Sequence, residues 1–268
     1  MVDSTRPPTA QDDEHEHPIL GRVAAPPDRT SSYGPHARQV YDVRLPPGTA
    51  REVTVVVVHG GFWRAAVDRA HAGSQAVAYA LDGFHVAVPD YRGVGMPGGG
   101  WPGTFDDARD ALAAIRDDPE LPDQVVLVGH SAGGHLAVWL LSQAEGSGAR
   151  GAVSLAGCLD LGLVARERLG DDAVIDLLEG WPEDVDERYA VADTARLVPA
   201  PAPVLLVHGE SDTVVPPAIS RSYQRISAAA GRDAPLTTVR SGHFELIDPD
   251  DPAFGAGFAA LRELADAD

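Results

Sequence analysis

The chain has 268 residues, of which 44% are hydrophobic, and this length and composition suffice for one large α/β domain with a substantial core. Its 40 acidic residues outnumber 21 arginines, no lysine is present, and the formal net charge is −19. Such acidity argues against nucleic-acid or anionic-membrane partners, because binding to either depends on basic side chains that neutralise phosphates.

The N-terminal segment, residues 1–30, is rich in Pro, Asp, Glu and Thr and has few large apolar side chains. It buries too little surface to offset the entropy of ordering it, so we expect a disordered or loosely attached tail before a single domain at residues 31–268. The segment lacks the apolar run of a secretory signal, and no stretch approaches the roughly 20 apolar residues of a membrane helix. We therefore expect a soluble, cytoplasmic protein.

Metal binding and disulfide formation have little support in the sequence. Cys158 is the only cysteine, which excludes an intramolecular disulfide and a cysteine-based zinc site and fits a reducing compartment. His15 and His17 have no third ligand beside them. We predict no metal and no organic cofactor.

Six short runs of β-branched and aliphatic residues recur along the chain without regular polar alternation. Such runs are typical of strands buried on both faces of a parallel sheet. They occupy residues 53–58, 85–90, 124–129, 151–157, 203–209 and 236–240.

Helical patterns separate these runs, and the alternation predicts a doubly wound, mostly parallel α/β sheet covered on both faces. The predicted helices occupy residues 68–81, 104–117, 132–145, 217–230 and 254–266. The connection between the runs 151–157 and 203–209 is much longer than the roughly 12 residues that a crossover needs. We expect a small helical cap at residues 158–200, inserted over the carboxyl edge of the sheet.

Ligands of open α/β sheets bind beyond the carboxyl ends of the strands, so residues just after each run are candidate site residues. After the first run, the stretch HGGFW at residues 59–63 places glycines where inward-pointing backbone N–H groups would stabilise an oxyanion. We predict that Gly61, Phe62 and Ala132 are the donors. His59 is predicted to fix the loop by hydrogen bonding rather than to act as a base.

After the run 124–129, the stretch GHSAG matches the G-x-S-x-G pattern, in which a sharp strand-to-helix turn exposes the serine. Ser131 also fits the role of a simple N-cap, since serine is a favoured capping residue. Capping alone does not explain the glycines on both sides of Ser131. We therefore predict that Ser131 is a nucleophile.

A serine hydroxyl needs a base to take its proton, and that base needs an acid to orient it. His243 follows the last run and is the predicted base, while a solvated loop histidine is its alternative interpretation. Asp212 follows the run 203–209 and is the predicted acid, with Glu210 and Asp160 as alternatives. The chain order Ser, Asp, His is the order of α/β-hydrolases.

These motifs resemble those of the α/β-hydrolase superfamily of esterases and lipases, over most of residues 50–250. The stretch HGGFW is similar to the HGGxW signature of kynurenine formamidases, and GHSAGGHLAVWLL, HGESDTVVP and GHFELIDP resemble bacterial hydrolases described as S9-like peptidases or esterases. The resemblance implies the α/β-hydrolase fold with its cap between the sixth and seventh strands. It also implies a catalytic triad of Ser131, Asp212 and His243. The implied oxyanion donors are Gly61, Phe62 and Ala132.

The resemblance implies a serine hydrolase that cleaves a small ester or amide, with N-formylkynurenine or a related N-formyl aryl amide as one candidate substrate. A general carboxylesterase or a biosynthetic thioesterase is the alternative among enzymes. A ligand-binding protein that keeps the fold without turnover is the alternative outside them. Trp63, Trp101 and His130 are predicted pocket residues, with buried packing open for both tryptophans. A monomer and a homodimer both remain open.

Overall fold

A computed structural model describes residues 17–267 and contains an eight-stranded sheet in the order β1-β2-β4-β3-β5-β6-β7-β8. Strands β3 to β8 are parallel to one another, whereas β2 runs antiparallel to both β1 and β4. The strands are β1 Arg29–Ser32, β2 Val40–Arg44, β3 Thr54–Val58, β4 His85–Pro89, β5 Val125–His130, β6 Gly151–Leu155, β7 Val204–Gly209 and β8 Leu236–Val239.

The four central strands β3, β5, β6 and β7 are buried along their whole length. Their many valines suit this position, because a β-branched side chain packs well on a pleated surface that is covered on both sides. All four are parallel, so their carboxyl ends meet at one edge of the sheet. The loops that leave this edge build the candidate site.

Helices cover the sheet and form the insertion. Helix α3, which follows β5, is buried at each of its positions, as expected for a helix that is apolar on all sides. The helices are α1 Gly73–Leu81, α2 Gly103–Arg116, α3 Ala132–Leu141, α4 Leu161–Arg166, α5 Leu169–Leu178, α6 Asp186–Ala192, α7 Ala218–Ala229 and α8 Phe254–Asp266. None of these described helices is long and apolar enough to span a membrane.

The predicted α/β-hydrolase fold is confirmed, and all six predicted strands and five predicted helices are present with small shifts at their ends. Two strands escaped prediction. Strand β1 consists of Arg, Thr and Ser and alternates between partly buried and exposed positions, so it has no apolar signal. Strand β2 is short and has a charged residue in its middle.

The N-terminal boundary differs from the prediction. Ile19 is buried, the Arg22 guanidinium donates to Asp248 at 2.6 and 3.0 Å, and β1 already begins at Arg29. Residues 17–30 therefore lie against the domain instead of forming a loose tail, because the buried Ile19 and the ion pairs of Arg22 with Asp248 and Asp250 anchor a segment whose composition is otherwise polar. Residues 1–16 of the predicted tail lie outside the described residues.

The long connection between β6 and β7 contains helices α4, α5 and α6, at the place where a cap is predicted. Two side chains of helix α3 donate hydrogen bonds to this inserted segment. His135 Nε2 donates to the carbonyl of Ala192 at 2.9 Å, and Trp139 Nε1 donates to that of Val191 at 2.8 Å. Helix α3 thus connects the end of β5 to the cap.

Candidate active site

Ser131 lies in a strained turn between β5 and α3. Its φ of 56° and ψ of −122° are rare for a residue with a side chain, and such strain persists only where the surroundings enforce it. Its backbone N–H donates to the carbonyl of Leu155 at 2.9 Å, and its carbonyl accepts from the N–H of His135 at 3.2 Å. The hydroxyl makes no capping bond to α3, so the structure does not give Ser131 the alternative role of a side-chain cap.

The glycines around Ser131 are required by close backbone contacts. A Cβ atom on Gly129 would lie 2.1 Å from the carbonyl oxygen of Gly133. A Cβ atom on Gly133 would lie 2.1 Å from the carbonyl oxygen of Val58 and 2.4 Å from that of His59. The turn therefore presses against the end of β3 and the loop that follows it, which is the physical reason for the glycine spacing.

His243 and Asp212 form a buried pair. The Nδ1 atom of His243 donates to Oδ2 of Asp212 at 2.7 Å, and both residues are about 5% exposed. The other carboxylate oxygen, Oδ1, accepts from the backbone N–H groups of Val214 and Val215, each at 2.9 Å. This arrangement fixes the carboxylate and leaves the second ring nitrogen of His243 available for proton transfer.

The alternative acids are engaged elsewhere. Asp160 accepts from the backbone N–H of Leu163 at 2.8 Å and from the hydroxyl of Ser222 at 2.6 Å, so it caps helix α4. Glu210 is exposed and lies 3.4 Å from the hydroxyl of Thr238. Of the three candidates, Asp212 is the one that contacts His243.

A second histidine, His208, contacts the same carboxylate and was not predicted. Its Nε2 atom donates to the carbonyl of Val215 at 2.7 Å and lies 3.2 Å from Oδ2 of Asp212. Burial opposes ionisation of Asp212, but His243 and His208 together hold the pKa of its carboxyl well below the usual value. No sequence pattern distinguishes His208, because a histidine inside an apolar strand has no characteristic spacing.

The HGGFW loop is also strained, with φ values of 102° at Gly61, 46° at Phe62 and 56° at Trp63. A backbone bond from Val94 N–H to the carbonyl of Trp63, at 2.7 Å, helps to hold it. Among the described residues, no protein acceptor binds the N–H groups of Gly61, Phe62 or Ala132. These three groups are therefore unpaired donors, as an oxyanion site requires.

A cavity of about 440 Å³ opens beside these groups. Ser131, His130, His243 and the loop residues Gly61 and Phe62 line it, and the cap contributes one further edge. The other lining residues are mostly apolar and comprise Leu20, Arg64, Ala66, Val67, His71, Gly170, Asp171 and Phe244.

A second cavity of about 370 Å³ shares His243 and Phe244 with the main cavity. Its wall is more polar and includes Ser211, Thr213 and Glu245. Ser131, the candidate nucleophile, therefore lies with His243 and two cavities at one edge of the sheet.

The predicted pocket residues have different outcomes. His130 lines the main cavity, and its Nε2 atom donates to the carbonyl of His243 at 3.0 Å. Trp63 is fully buried, with its ring 5.4 Å from that of His135, because the left-handed backbone turns the side chain into the core. Trp101 packs on Phe105 at 5.3 Å. Neither tryptophan lines the cavity, so the alternative interpretation, packing, describes both, with Trp63 fully buried and Trp101 partly buried.

The described part of the chain contains no cluster of three His, Cys, Asp or Glu side chains placed to hold a metal ion. His17 instead lies 3.9 Å from Glu245. His15, the other residue of that pair, lies outside the described residues.

Solved structures with the same fold include several esterases. A truncated form of a carbohydrate esterase from gut microbiota covers 92% of this chain and 100% of its own, with a TM-score of 0.79 and 18% identity. Esterase B from Lactobacillus rhamnosis HN001 covers 96% of this chain and 91% of its own, with a TM-score of 0.76 and 19% identity. These similarities identify the fold.

A curated relative, the uncharacterized protein YfhR of Escherichia coli O157:H7, is 27% identical over 136 residues. That alignment covers 50% of this chain and 44% of the relative, so the match spans less than half the length of the curated protein. The family model named BD-FAE matches residues 41–226, which include Ser131 and Asp212. Since this match covers more than half of the chain, the protein belongs to the BD-FAE family.

Proposed function

We propose that the protein is a serine hydrolase of esters, with Ser131 as nucleophile, His243 as general base and Asp212 as the acid that orients it. The observation that carries the proposal is the 2.7 Å bond between His243 and Asp212 at the wall of the cavity that also contains Ser131. The esterases that share its fold support the same class of reaction.

In this mechanism His243 accepts the hydroxyl proton of Ser131 as the serine oxygen attacks the substrate carbonyl. The negative charge on the carbonyl oxygen is stabilised by the unpaired N–H groups of Gly61, Phe62 and Ala132. The imidazolium of His243 then protonates the leaving alcohol, and the acyl group stays on Ser131. A water molecule activated by His243 releases the acid and restores the enzyme.

The two cavities suggest how substrate groups are divided. The main cavity contains the oxyanion loop and apolar side chains, so it suits the acyl group and its carbonyl. His243, the residue that protonates the leaving group, also lines the second cavity, and the more polar wall of that cavity suits a hydroxylated alcohol. Substrates of modest size fit these spaces.

Formamide hydrolysis is a narrower candidate, supported by the stretch HGGFW at residues 59–63. A panel containing N-formylkynurenine, short aryl esters and acyl thioesters at equal enzyme concentration separates the possibilities. We expect the esters to be hydrolysed fastest. Faster turnover of N-formylkynurenine would favour the formamidase, and faster turnover of thioesters would favour a thioesterase.

The role of Ser131 is tested with Ser131→Ala and with a fluorophosphonate probe that labels activated serines. We expect the variant to keep its fold, measured by circular dichroism, and to lose ester turnover and labelling. Wild-type protein without turnover on any ester, formamide or thioester would refute the enzyme and favour a ligand-binding role. Retained turnover in the variant would refute the assignment of Ser131.

A further inference from the structure

Helix α5 of the cap begins with a left-handed turn. Gly170, Asp171 and Asp172 have φ values of 59°, 53° and 62°, with ψ values of 41°, 58° and 29°. The left-handed conformation is unfavourable for residues that carry a side chain, so consecutive ones persist only where the surroundings enforce them. Such strain is found mainly at functional sites, and Gly170 and Asp171 both line the main cavity.

The turn lies against the ring of Phe62, in the HGGFW loop. A Cβ atom on Gly170 would lie 2.6 to 2.8 Å from three carbon atoms of that ring, so the ring packs directly on the glycine backbone. Phe62 has a φ of 46° and is therefore strained as well. Two strained segments, one in the cap and one in the oxyanion loop, thus contact each other at the wall of the main cavity.

Arg64 joins these two segments. Its Nη2 atom donates to the carbonyl of Gly170 at 2.8 Å and to that of Asp171 at 3.0 Å, and it lies 3.3 Å from Oδ2 of Asp176 in the same helix. Its backbone N–H donates to the carbonyl of Gly61 at 2.9 Å. Arg64 therefore binds the cap through its side chain and the HGGFW loop through its main chain.

Both sets of bonds act on Phe62, a candidate oxyanion donor. The Gly61 carbonyl and the Phe62 N–H belong to one planar peptide unit, so a bond to the oxygen sets the direction of the N–H. The ring of Phe62 is restrained from the other side by Gly170, whose carbonyl Arg64 holds. The main chain and the side chain of Phe62 are thus both restrained by contacts that include Arg64.

We propose that Arg64 is a positioning residue that holds the left-handed turn of the cap on Phe62 and so directs the Phe62 N–H toward the oxyanion. The kinetic part of this proposal rests on the proposed ester hydrolysis. Arg64 acts through Gly170 and Phe62 and not by contact with the reacting atoms. Its effect is expected in kcat, because the oxyanion exists in the transition state and not in the bound substrate.

The contact between the turn and the ring is tested without any turnover, by ¹⁹F spectra of the full chain labelled with 4-fluorophenylalanine. Comparison with Phe62→Leu assigns the signal of Phe62. We expect Arg64→Met to move this signal toward that of the free amino acid, because the ring loses the backbone that covers it. An unchanged signal would overturn the proposal, whereas a shifted signal in a protein without esterase activity would refute the proposed function alone.

Arg188→Met is the matched control for Arg64→Met. Arg188 Nη1 donates to the carbonyl of Leu178, at the other end of helix α5, and to Oε2 of Glu179, each at 2.7 Å. Its replacement removes the same charge and the same kind of bond from the cap, but Arg188 lines neither of the two cavities. We expect wild-type spectra and a wild-type kcat. Equal changes in the two variants would overturn the proposal, because Arg64 would then act only on the stability of the cap.

The kinetic role is tested with Arg64→Met, which keeps an apolar stem and loses the donors. We expect kcat for an aryl ester to fall about tenfold, with KM within about threefold of wild type, because a displaced oxyanion donor weakens binding of the transition state. An unchanged kcat, or a rise in KM alone, would overturn the proposal.

A double-mutant cycle separates action through Phe62 from a general loss of stability. In Phe62→Ala the ring is absent, so the turn no longer restrains the oxyanion loop through it. We expect Arg64→Met to lower kcat less than about twofold in this background, against about tenfold in the wild-type background. Equal factors in the two backgrounds would refute the role of the contact, and if Phe62→Ala does not fold, the same cycle is measured with Phe62→Leu.

Discussion

His208 lies 3.2 Å from the same Asp212 oxygen that accepts a 2.7 Å bond from His243, so this carboxylate is held between two buried histidines. His208 is itself fixed, since its Nδ1 atom lies 2.7 Å from the hydroxyl of Ser220 and its Nε2 donates to Val215. The candidate triad therefore has a second layer of support within the loop after β7.

Replacing His208 by Leu should weaken both stability and catalysis. The carbonyl of Val215 and the hydroxyl of Ser220 would lose a buried partner, at a cost of about 1–3 kcal/mol in the free energy of unfolding. Asp212 would also lose one of its fixed contacts, so kcat for an aryl ester should fall. Urea denaturation and steady-state kinetics measure the two effects.

Ser220→Ala is the control for His208→Leu, because it removes one partner of His208 and keeps the contact with Asp212. We expect it to lower the free energy of unfolding by about 1 kcal/mol and to leave kcat close to wild type. Equal losses of kcat in the two variants would show that His208 acts only through general stability.

Asp212→Asn should lower kcat by about 10⁴-fold, because an amide cannot hold the imidazole of His243 in the required tautomer. Asp160→Asn is the control, because it makes the same carboxylate-to-amide change at the residue that caps helix α4. This variant should retain most of the activity. A small effect of Asp212→Asn together with a large effect of Asp160→Asn would reverse the assignment of the acid.

Gly133→Ala should damage the active-site turn, because its Cβ would lie 2.1 Å from the carbonyl oxygen of Val58 and 2.4 Å from that of His59. We expect a loss of about 1–3 kcal/mol in the free energy of unfolding and a loss of ester turnover. Gly255→Ala is the matched control, since its Cβ would have no neighbour within 4 Å and the site lies in helix α8. That variant should be as stable as wild type or slightly more stable.

His135 should make the protein sensitive to acid. Burial lowers the pKa of its imidazole to about 4, against the opposing bond to Ala192, so the folded state holds this ring neutral. The unfolded chain takes up the proton below about pH 6.5, hence the stabilisation is complete above that pH and is lost as the pH falls toward 4.

His135→Gln removes this titration while keeping a side-chain donor for the carbonyl of Ala192. Between pH 7.5 and pH 4.5 the wild type should lose about 2–3 kcal/mol more unfolding free energy than the variant. Urea denaturation at the two pH values measures the difference. Equal losses in both proteins would contradict a neutral buried His135.

Much of the fold was predictable because parallel strands that are buried on both faces appear in the sequence as uninterrupted runs of apolar residues. The valine run of β3 and the apolar run of β5 needed no tertiary information. Strand β1 has no such apolar run, because it is an edge strand whose pairing with β2 depends on backbone hydrogen bonds and not on apolar side chains. The anchoring of residues 17–30 likewise depends on a distant partner, Asp248.

The order of the elements, and the positions of Ser131, Asp212 and His243 after strands, could be predicted from the sequence, since strand burial and turn glycines are local properties. The folded chain was needed to identify the carboxylate that contacts His243 and to show that Trp63 and Trp101 pack against other side chains and do not line the cavity. It was also needed to show that His208 and His59 contact buried carboxylates. The contacts of His243 with Asp212 and of His59 with Asp90 join residues that follow different strands, and their distances are set by how the strands align at one edge of the sheet.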